Sequence, residues 1–311
     1  MHKVNQKTVK AIPAILASML SLVLALPVQA QGLSNAELSA SSPSVAQLAI
    51  IIDDIGNSWQ KGLDAIALPG NITFAVMPHR KHSIQLAERA GRLGKEVMLH
   101  APMATMNNRE LGAGALHENL GEKLFKLRLR FAIDNIPYVR GINNHMGSRL
   151  TTSTNAMGWV MDVLKEKQLF FVDSRTHANS IAFEQAQQYG LASAKRDVFL
   201  DHERTLDAVH RQFKLAVTIA KEYGNAIAIG HPHNVTLRYL EHVIPQLEQH
   251  HIETIFVSAL LKTGNQSRPN TARYNLPKPQ PDLDELFARL EKKRNLSLNQ
   301  NNRKPESTVH N

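Results

Sequence analysis

Short apolar runs rich in Val, Ile and Phe alternate along the chain with longer segments of helical period. Because the runs are apolar on both faces, they are typical of strands in a buried parallel sheet. The predicted strands are Leu48–Ile52, Ile72–Val76, Glu96–Leu99, Val139–Ile142, Leu169–Val172, Val198–Leu200, Ala226–Ile229 and Thr254–Val257. The predicted helices between them include His82–Leu93, Asn119–Asp134, Asn155–Lys167, Thr205–Tyr223 and Leu237–His250. This alternation predicts an α/β fold, either doubly wound or a distorted (β/α) barrel of seven or eight mostly parallel strands, and the number of units favours the barrel.

Polar residues follow nearly every predicted strand. The segments that follow the strands are Asp53 and Asp54, Met77-Pro78-His79, His100, Asn143-Asn144-His145, Asp173, Asp201, Gly230-His231-Pro232-His233 and Ser258. In parallel α/β folds the carboxyl ends of the strands meet at one edge, where active sites lie. So many Asp, His, Asn and Ser residues at this one topological position predict a functional site there.

The residue types indicate the chemistry of that site. The chain has no cysteine, and histidine with aspartate suits a divalent cation, zinc by default and manganese, cobalt or iron as alternatives. Neighbouring side chains diverge along a strand, so one of Asp53 and Asp54 is expected to bind metal while the other faces substrate. A bound cation acidifies water, a second carboxylate takes its proton, and a histidine protonates the leaving group. These parts predict a metal-assisted hydrolase of an amide or an ester.

Structural roles compete with this interpretation. Asp54 or Asn57 is a possible N-cap for a helix that starts near Trp59. His100 alone is equally compatible with a buried core histidine, and Asp173 with Arg175 is compatible with a structural ion pair. Weaker candidates for a functional role are Asp201, His79, His117, His177 and His202.

The amino-terminal residues 1–30 have the composition of a secretory signal peptide. Lys3, Lys7 and Lys10 precede the apolar run Ala11–Leu26, and Val28-Gln29-Ala30 forms a small-x-small cleavage pattern. We therefore expect export to the periplasm and a soluble mature protein that does not span the membrane after cleavage. An uncleaved anchor is the alternative, because the run is near the short limit for spanning a bilayer.

The net charge of +9 is concentrated at the two ends of the chain. Residues 31–261 hold 23 basic and 22 acidic residues, so a nucleic-acid-binding face is not expected. Composition divides the chain after residue 30 into a Ser/Ala-rich linker at 31–45, a folded domain at 46–261 and a largely disordered basic tail at 262–311. Within the tail a helix is predicted at Asp282–Arg294.

Five motifs give the folded domain a family resemblance. They are IIIDDIG (50–56), MLHAPM (98–103), GINNHMGSR (141–149), FFVDSRT (170–176) and AIAIGHPH (226–233). Together they resemble the divergent polysaccharide deacetylases, relatives of chitin and peptidoglycan deacetylases, over nearly all of residues 46–261. The resemblance implies a distorted (β/α) barrel, a divalent metal and an acetylated glycan as substrate. It implies that Asp53 is the general base, Asp54 and His100 are metal ligands, and His231 is the general acid.

The sequence departs from the wider family at one position. Relatives carry a second ligand histidine four residues after the first, where this chain has Ala104. The resemblance then points to His145 as the other imidazole ligand. It also gives Asp173 and Arg175 orienting roles. Asn144, Ser148 and His233 are further candidates for contact with the substrate or support of the ligands. The resulting prediction is a periplasmic, metal-dependent deacetylase of an envelope glycan. The alternatives are a non-catalytic glycan-binding or scaffold protein and a hydrolase of another bond, such as an amide in a peptide stem.

Overall fold

The computed structural model describes residues 45–262 together with Ala288 and Lys292. The described strands are β1 (Ala46–Ile55), β2 (Ile72–Val76), β3 (Glu96–Met103), β4 (Val139–Met146), β5 (Phe170–Asp173), β6 (Ser193–Lys195), β7 (Val198–Phe199), β8 (Asn225–Gly230) and β9 (Ile252–Thr254). The described helices are α1 (Trp59–Ile66), α2 (Ser83–Arg92), α3 (Gly121–Asp134), α4 (Thr154–Lys167), α5 (Ala182–Gln188), α6 (Leu206–Tyr223), α7 (Asn234–Val243) and α8 (Val257–Lys262). The predicted signal peptide, the linker up to residue 44 and the tail with its helix at Asp282–Arg294 lie outside these residues, except that Ala288 and Lys292 are helical.

The strands form one parallel sheet with the order β6-β5-β4-β3-β2-β1-β8-β7, and β9 also pairs with β1. Among the described residues no pairing joins β6 to β7, so the barrel is open between them. The predicted distorted barrel is confirmed, with eight strands along its main path. The pattern missed β6 and α5, because Ser193–Lys195 has no apolar run and α5 is only two turns long.

The two faces of the sheet pack against different partners. Along β1, Leu48, Ile50 and Ile52 belong to the large core formed with the surrounding helices. Ala49 and Ile51 point the other way and pack in a smaller core with Val257, Leu260 and Leu261 of α8. This two-sided burial explains why the strand is apolar at every position.

The last predicted strand, Thr254–Val257, is wrong in its second half. Pairing with β1 ends at Thr254, and the chain turns into α8 at Val257. The Ser258 N–H donates to the buried carboxylate of Glu96, with N···O distances of 3.2 and 3.3 Å. Since Glu96 is the first residue of β3, Ser258 lies at the amino ends of the strands and not at the functional edge.

Two helix boundaries also differ from the predictions. Ser58 caps α1 by accepting from the Lys61 N–H, so neither Asp54 nor Asn57 is the cap. The helix predicted to reach His250 ends at Val243 and continues as short 3₁₀ turns, with Pro245 in the first of them. Proline removes a backbone donor, which favours ending the α-helix there.

Candidate metal and acid-base site

Sheet pairing holds the predicted site residues more firmly than loops would. β1, β3 and β4 continue three or four residues past the predicted apolar runs. The extension occurs because β3 and β4 remain paired to their ends, with His100 opposite Asn143 and Pro102 opposite His145. His100 and His145 are therefore strand residues, fixed by the register of two neighbouring strands.

A bulge in β1 positions the two adjacent aspartates. The register with β2 shifts between Ile52 and Ile55, and Asp54 adopts a left-handed φ of 60°. Non-glycine residues rarely adopt this conformation, and a bulge re-aims the side chains beside it. The aspartates do not diverge as expected, because Oδ2 of Asp53 and Oδ1 of Asp54 lie 3.7 and 3.4 Å from Nε2 of His100.

Asp54, His100 and His145 form a compact group of potential ligand atoms. Oδ1 of Asp54 lies 3.1 Å from Nδ1 of His145, and that nitrogen lies 3.0 Å from Nε2 of His100. Ligands about 2.0–2.2 Å from a tetrahedral zinc ion stand roughly 3.3–3.6 Å from one another, close to these spacings. Oδ1 of Asp54 is also buried without a hydrogen-bond donor, which is costly unless a cation is present. The three residues therefore fit a divalent cation.

Asn143 determines which nitrogen of His100 is available to bind a metal ion. Its amide Nδ2 donates to Oδ1 of Asp53 at 2.8 Å, since a carboxylate can only accept, and its Oδ1 lies 2.7 Å from Nδ1 of His100. Nδ1 of His100 must then carry a proton and donate it. In the neutral ring, Nε2 is left as a lone pair directed at Asp54 and His145, the arrangement that metal-binding histidines show.

The electrostatics of this group depend on the two imidazoles. Burial raises the pKa of Asp54, but the close imidazoles of His100 and His145 outweigh burial and hold the pKa far below its usual range. Burial lowers the pKa of His100, yet Asp53, Asp54 and the bond with Asn143 shift it upward overall. For His145, burial and the His100 charge keep the pKa below the ordinary value.

Ala104, at the position of the absent histidine, is part of the core. It is fully buried, its N–H donates to the Leu116 carbonyl, and its own carbonyl accepts from the Arg149 and Leu150 N–H groups. A larger side chain at this position would have to displace core neighbours. In this chain His145, from the neighbouring strand, supplies the nitrogen near Asp54 and His100 instead.

A second cluster forms where β8 ends. Asp201 accepts at Oδ1 from Nδ1 of His231 (2.9 Å) and at Oδ2 from the His231 N–H (2.7 Å) and the Thr236 hydroxyl (2.8 Å). Burial lowers the pKa of His231, but the bond to Asp201 and the charges of Asp53, Asp201 and Asp54 raise it to about 9. The imidazole is therefore protonated at neutral pH. Asp201, a weak candidate in the sequence, is the residue that holds it.

The remaining predicted residues surround the two clusters. Asn144 accepts at Oδ1 from the Ser174 N–H and donates through Nδ2 to the Met146 carbonyl, so it ties β4 to the loop after β5. Ser148 accepts from the Met106 N–H and fixes the loop after β3. The His233 ring stacks on His231 with centroids 5.7 Å apart, and burial lowers the pKa of His233.

Asp173 and Arg175 do not form the side-chain ion pair that was the alternative. Asp173 accepts from the Arg175 backbone N–H and the Ser180 hydroxyl, both at 2.7 Å, while the Arg175 guanidinium donates to the Ala178 carbonyl. A half-buried cation near the site is Arg196, which sequence reasoning missed. Burial lowers the pKa of Arg196, while the charges of Asp173 and Asp53 raise it. Its position in the two-residue link between β6 and β7 gave no sequence signal.

Four other histidines occupy separate positions. His79 stacks on Phe131, His177 accepts from the Asn179 N–H, His202 lies beside Phe199, and His117 precedes a 3₁₀ turn. None belongs to either group of potential ligands in the described part of the chain. These histidines are therefore not candidates for the site.

The strands form a parallel barrel, and carboxylate and imidazole groups lie where the strands end. These features define the class of the protein as an α/β barrel with a potential metal site. The family model described as "Divergent polysaccharide deacetylase" matches residues 50–261, and the chain belongs to this family. The resemblance inferred from the five motifs is thereby confirmed.

Two relatives agree with the family model. The chain is 38% identical over 211 residues to an uncharacterized protein, YibQ, of Escherichia coli (strain K12), covering 68% of this chain and 66% of that protein. It is 34% identical over 208 residues to an uncharacterized protein of Haemophilus influenzae, covering 67% of this chain and 74% of that protein. The matched region thus spans just under two thirds of the Escherichia coli relative.

A solved structure shows the same fold. The crystal structure of uncharacterized protein ATU2773 from Agrobacterium tumefaciens C58 matches with a TM-score of 0.68 and 24% identity. The match covers 71% of this chain and 91% of that chain. Among the described residues of our protein, no helix combines the length and apolar character needed to cross a membrane.

Proposed function

We propose that this protein is a metal-dependent deacetylase that hydrolyses acetyl amide or ester groups on an envelope glycan in the periplasm. Membership of the family supports the reaction and the glycan class. The predicted signal peptide at residues 1–30 supports the location. The single observation that carries the proposal is the pairing, on one edge of the sheet, of a group suited to a cation with a protonated histidine.

Asp54, His100 and His145 would hold the cation, for which zinc is the first choice given the two imidazoles and one carboxylate. When bound, the cation supplies Lewis acidity toward an acyl carbonyl and lowers the pKa of a water molecule. The hydrogen bond from Asn143 to Nδ1 of His100 fixes the ring in the orientation that this role requires.

Asp53 is suited to general-base catalysis. It is 3% exposed, and the Asn143 amide fixes Oδ1 while Oδ2 faces the potential ligand group. Oδ2 would accept the proton of the attacking water as the new C–O bond forms.

His231 is suited to general-acid catalysis. Asp201 occupies Nδ1, which leaves Nε2 as the atom able to give a proton to the leaving amine or alcohol as the acyl bond breaks. The pKa of about 9 keeps that proton in place at neutral pH. The Asp201–His231 pair therefore provides the acid that complements the Asp53 base.

Acetate release from acetylated chitin oligosaccharides and peptidoglycan fragments tests the proposal. We expect release by the zinc-loaded protein, loss with a chelator, recovery on adding zinc, and loss in Asp53→Asn with metal binding retained. Glycan binding without acetate release would contradict it and favour the non-catalytic alternative. Cleavage of a peptide-stem amide instead would indicate the other hydrolase.

A further inference from the structure

Helix α3 exposes an apolar line where a surface helix normally presents polar residues. Leu124, Leu127 and Phe131 are 46%, 58% and 67% exposed and follow one another at i, i+3 and i+7. The opposite face of the helix packs in the core through Phe125 and Leu129. α3 holds three of the ten exposed large hydrophobic residues in the described part of the chain. Such residues are ordinary when they occur singly, whereas a continuous line marks an interaction surface. We call these three residues the α3 ridge.

We propose that the α3 ridge binds the same ridge of a second copy of this chain, with the two helices antiparallel about a two-fold axis. In that arrangement Leu127 lies beside the axis and meets the partner's Leu127. Leu124 packs on the partner's Phe131, because these two positions are equally far from the axis. An interface of this kind is self-complementary, as two-fold symmetry requires.

The charges at the two ends of the ridge select this orientation. Lys123 lies at the beginning of the ridge and Asp134 at its end, and both are exposed. Antiparallel packing brings Lys123 toward the partner's Asp134, whereas parallel packing would bring like charges together. Oδ1 of Asp134 also accepts from Lys167, and the carboxylate retains a second oxygen for the partner.

The charges beside the ridge favour a protein partner over an anionic membrane. Lys126 binds Asp162 at 2.7 Å and Arg130 binds Glu166 at 2.7 Å, both on α4. These two cations are neutralised within the chain, and Lys123 at the beginning of the ridge is exposed. Surface binding to anionic lipid needs several free Lys and Arg around the apolar face. The ridge residues belong to neither ligand cluster, so the inference does not depend on the proposed function.

The absence of cysteine permits a direct test by cross-linking. Leu127→Cys would place one thiol beside the axis in each copy. Mild oxidation with copper phenanthroline should then give a disulfide-linked dimer in most of the protein. Ile84→Cys on α2, at a residue of similar exposure (46%), is the matched control and should remain mostly monomeric.

Analytical ultracentrifugation provides the second measurement. We expect the wild type to dimerise with a Kd of about 10 µM or tighter. The Leu127→Asp/Phe131→Asp variant should dimerise at least tenfold more weakly, and Ile84→Asp should behave as wild type. Circular dichroism and thermal melting would show that both variants remain folded.

Three results would overturn the inference. The first is a wild type that stays monomeric while Leu127→Cys cross-links no faster than Ile84→Cys. The second is a monomer whose α3 amides lose hydrogen-exchange protection when residues 263–311 are removed, which would identify the tail as the occupant. The third is a monomer that binds phosphatidylglycerol vesicles but not phosphatidylcholine vesicles through Leu127 and Phe131.

Discussion

Two clusters at the same edge of the sheet have the same composition and opposite electrostatic character. Each combines one aspartate with two histidines, Asp54 with His100 and His145 in one and Asp201 with His231 and His233 in the other. Oδ1 of Asp54 has no hydrogen-bond donor, whereas the two oxygens of Asp201 receive three hydrogen bonds. The first cluster therefore favours a bound cation, and the second favours a bound proton. The partners of a residue, more than its type, determine which charge it holds.

Removing the acid should have the largest effect on turnover. His231→Asn deletes the proton donor, and we expect kcat on an acetamide substrate to fall by about 10²- to 10⁴-fold while metal content is unchanged. With an aryl acetate, whose leaving group needs no proton, His231→Asn should lower kcat by no more than roughly tenfold. Equal losses on both substrates would indicate that His231 does not act as the acid.

Removing the Asn143 side chain, which holds both Asp53 and His100 by hydrogen bonds, should weaken the metal cluster without deleting a ligand. Asn143→Ala frees both Asp53 and His100, and we expect zinc affinity to fall by about 10- to 100-fold, as for other residues that orient a ligand histidine. Isothermal titration calorimetry measures this change. Asn144→Ala, on the adjacent residue, is the control and should retain the zinc affinity. Equal weakening in both variants would argue that the hydrogen bonds of Asn143 do not orient the ligands.

Removing the charge of Asp201 should mainly shift the pH dependence of kcat. Folding raises the pKa of His231 from about 6.5 to about 9, so activity should decline as pH rises through 9. In Asp201→Asn the alkaline limb should shift toward pH 6.5, with a loss of about fourfold at pH 7. A pH profile of kcat that is unchanged in this variant would contradict the role of the pair.

The same pKa shift predicts how stability depends on pH. Because the folded pKa is raised, the stabilisation is complete below about pH 6.5 and is lost as pH rises toward 9. Denaturant melts of the wild type should therefore lose stability across this window more than melts of Asp201→Asn. Parallel curves for the two proteins would indicate that His231 titrates alike in the folded and unfolded chain.

Introducing the histidine that the family resemblance predicts four residues after His100 should not strengthen the metal cluster. Position 104 is buried within the core, so Ala104→His is expected to destabilise the fold by about 1–3 kcal/mol through overpacking, with no gain in zinc affinity. Chemical denaturation and metal titration measure the two effects. Tighter zinc binding in Ala104→His would show that the core opens enough to present a ligand there.

Much of the architecture and of the candidate site could be predicted because both depend on local patterns. Strands apolar on both faces predicted the parallel barrel, and residue types at strand ends selected Asp53, Asp54, His100, His145 and His231, which the structure brings to one edge. The Ile-Phe-Val run at 255–257 was misleading, because a short apolar run does not distinguish a strand from a buried helix.

The features that were missed depend on contacts between distant residues. Asp201 gains its role only because the end of β8 brings the His231 backbone and ring to it. The bulge that turns both aspartates toward His100 depends on pairing between β1 and β2. Arg196 lies in a short link between strands, where nothing in the local sequence distinguishes it from any surface arginine.

Metal content in two matched variants tests the central claim most directly. Asp54→Asn and Asp201→Asn each replace one carboxylate by an amide of the same size. After dialysis against zinc, we predict about one ion per chain in the wild type and in Asp201→Asn, and almost none in Asp54→Asn. Retention of zinc by Asp54→Asn, or its loss from Asp201→Asn alone, would contradict the assignment of the cation to the first cluster and the proton to the second.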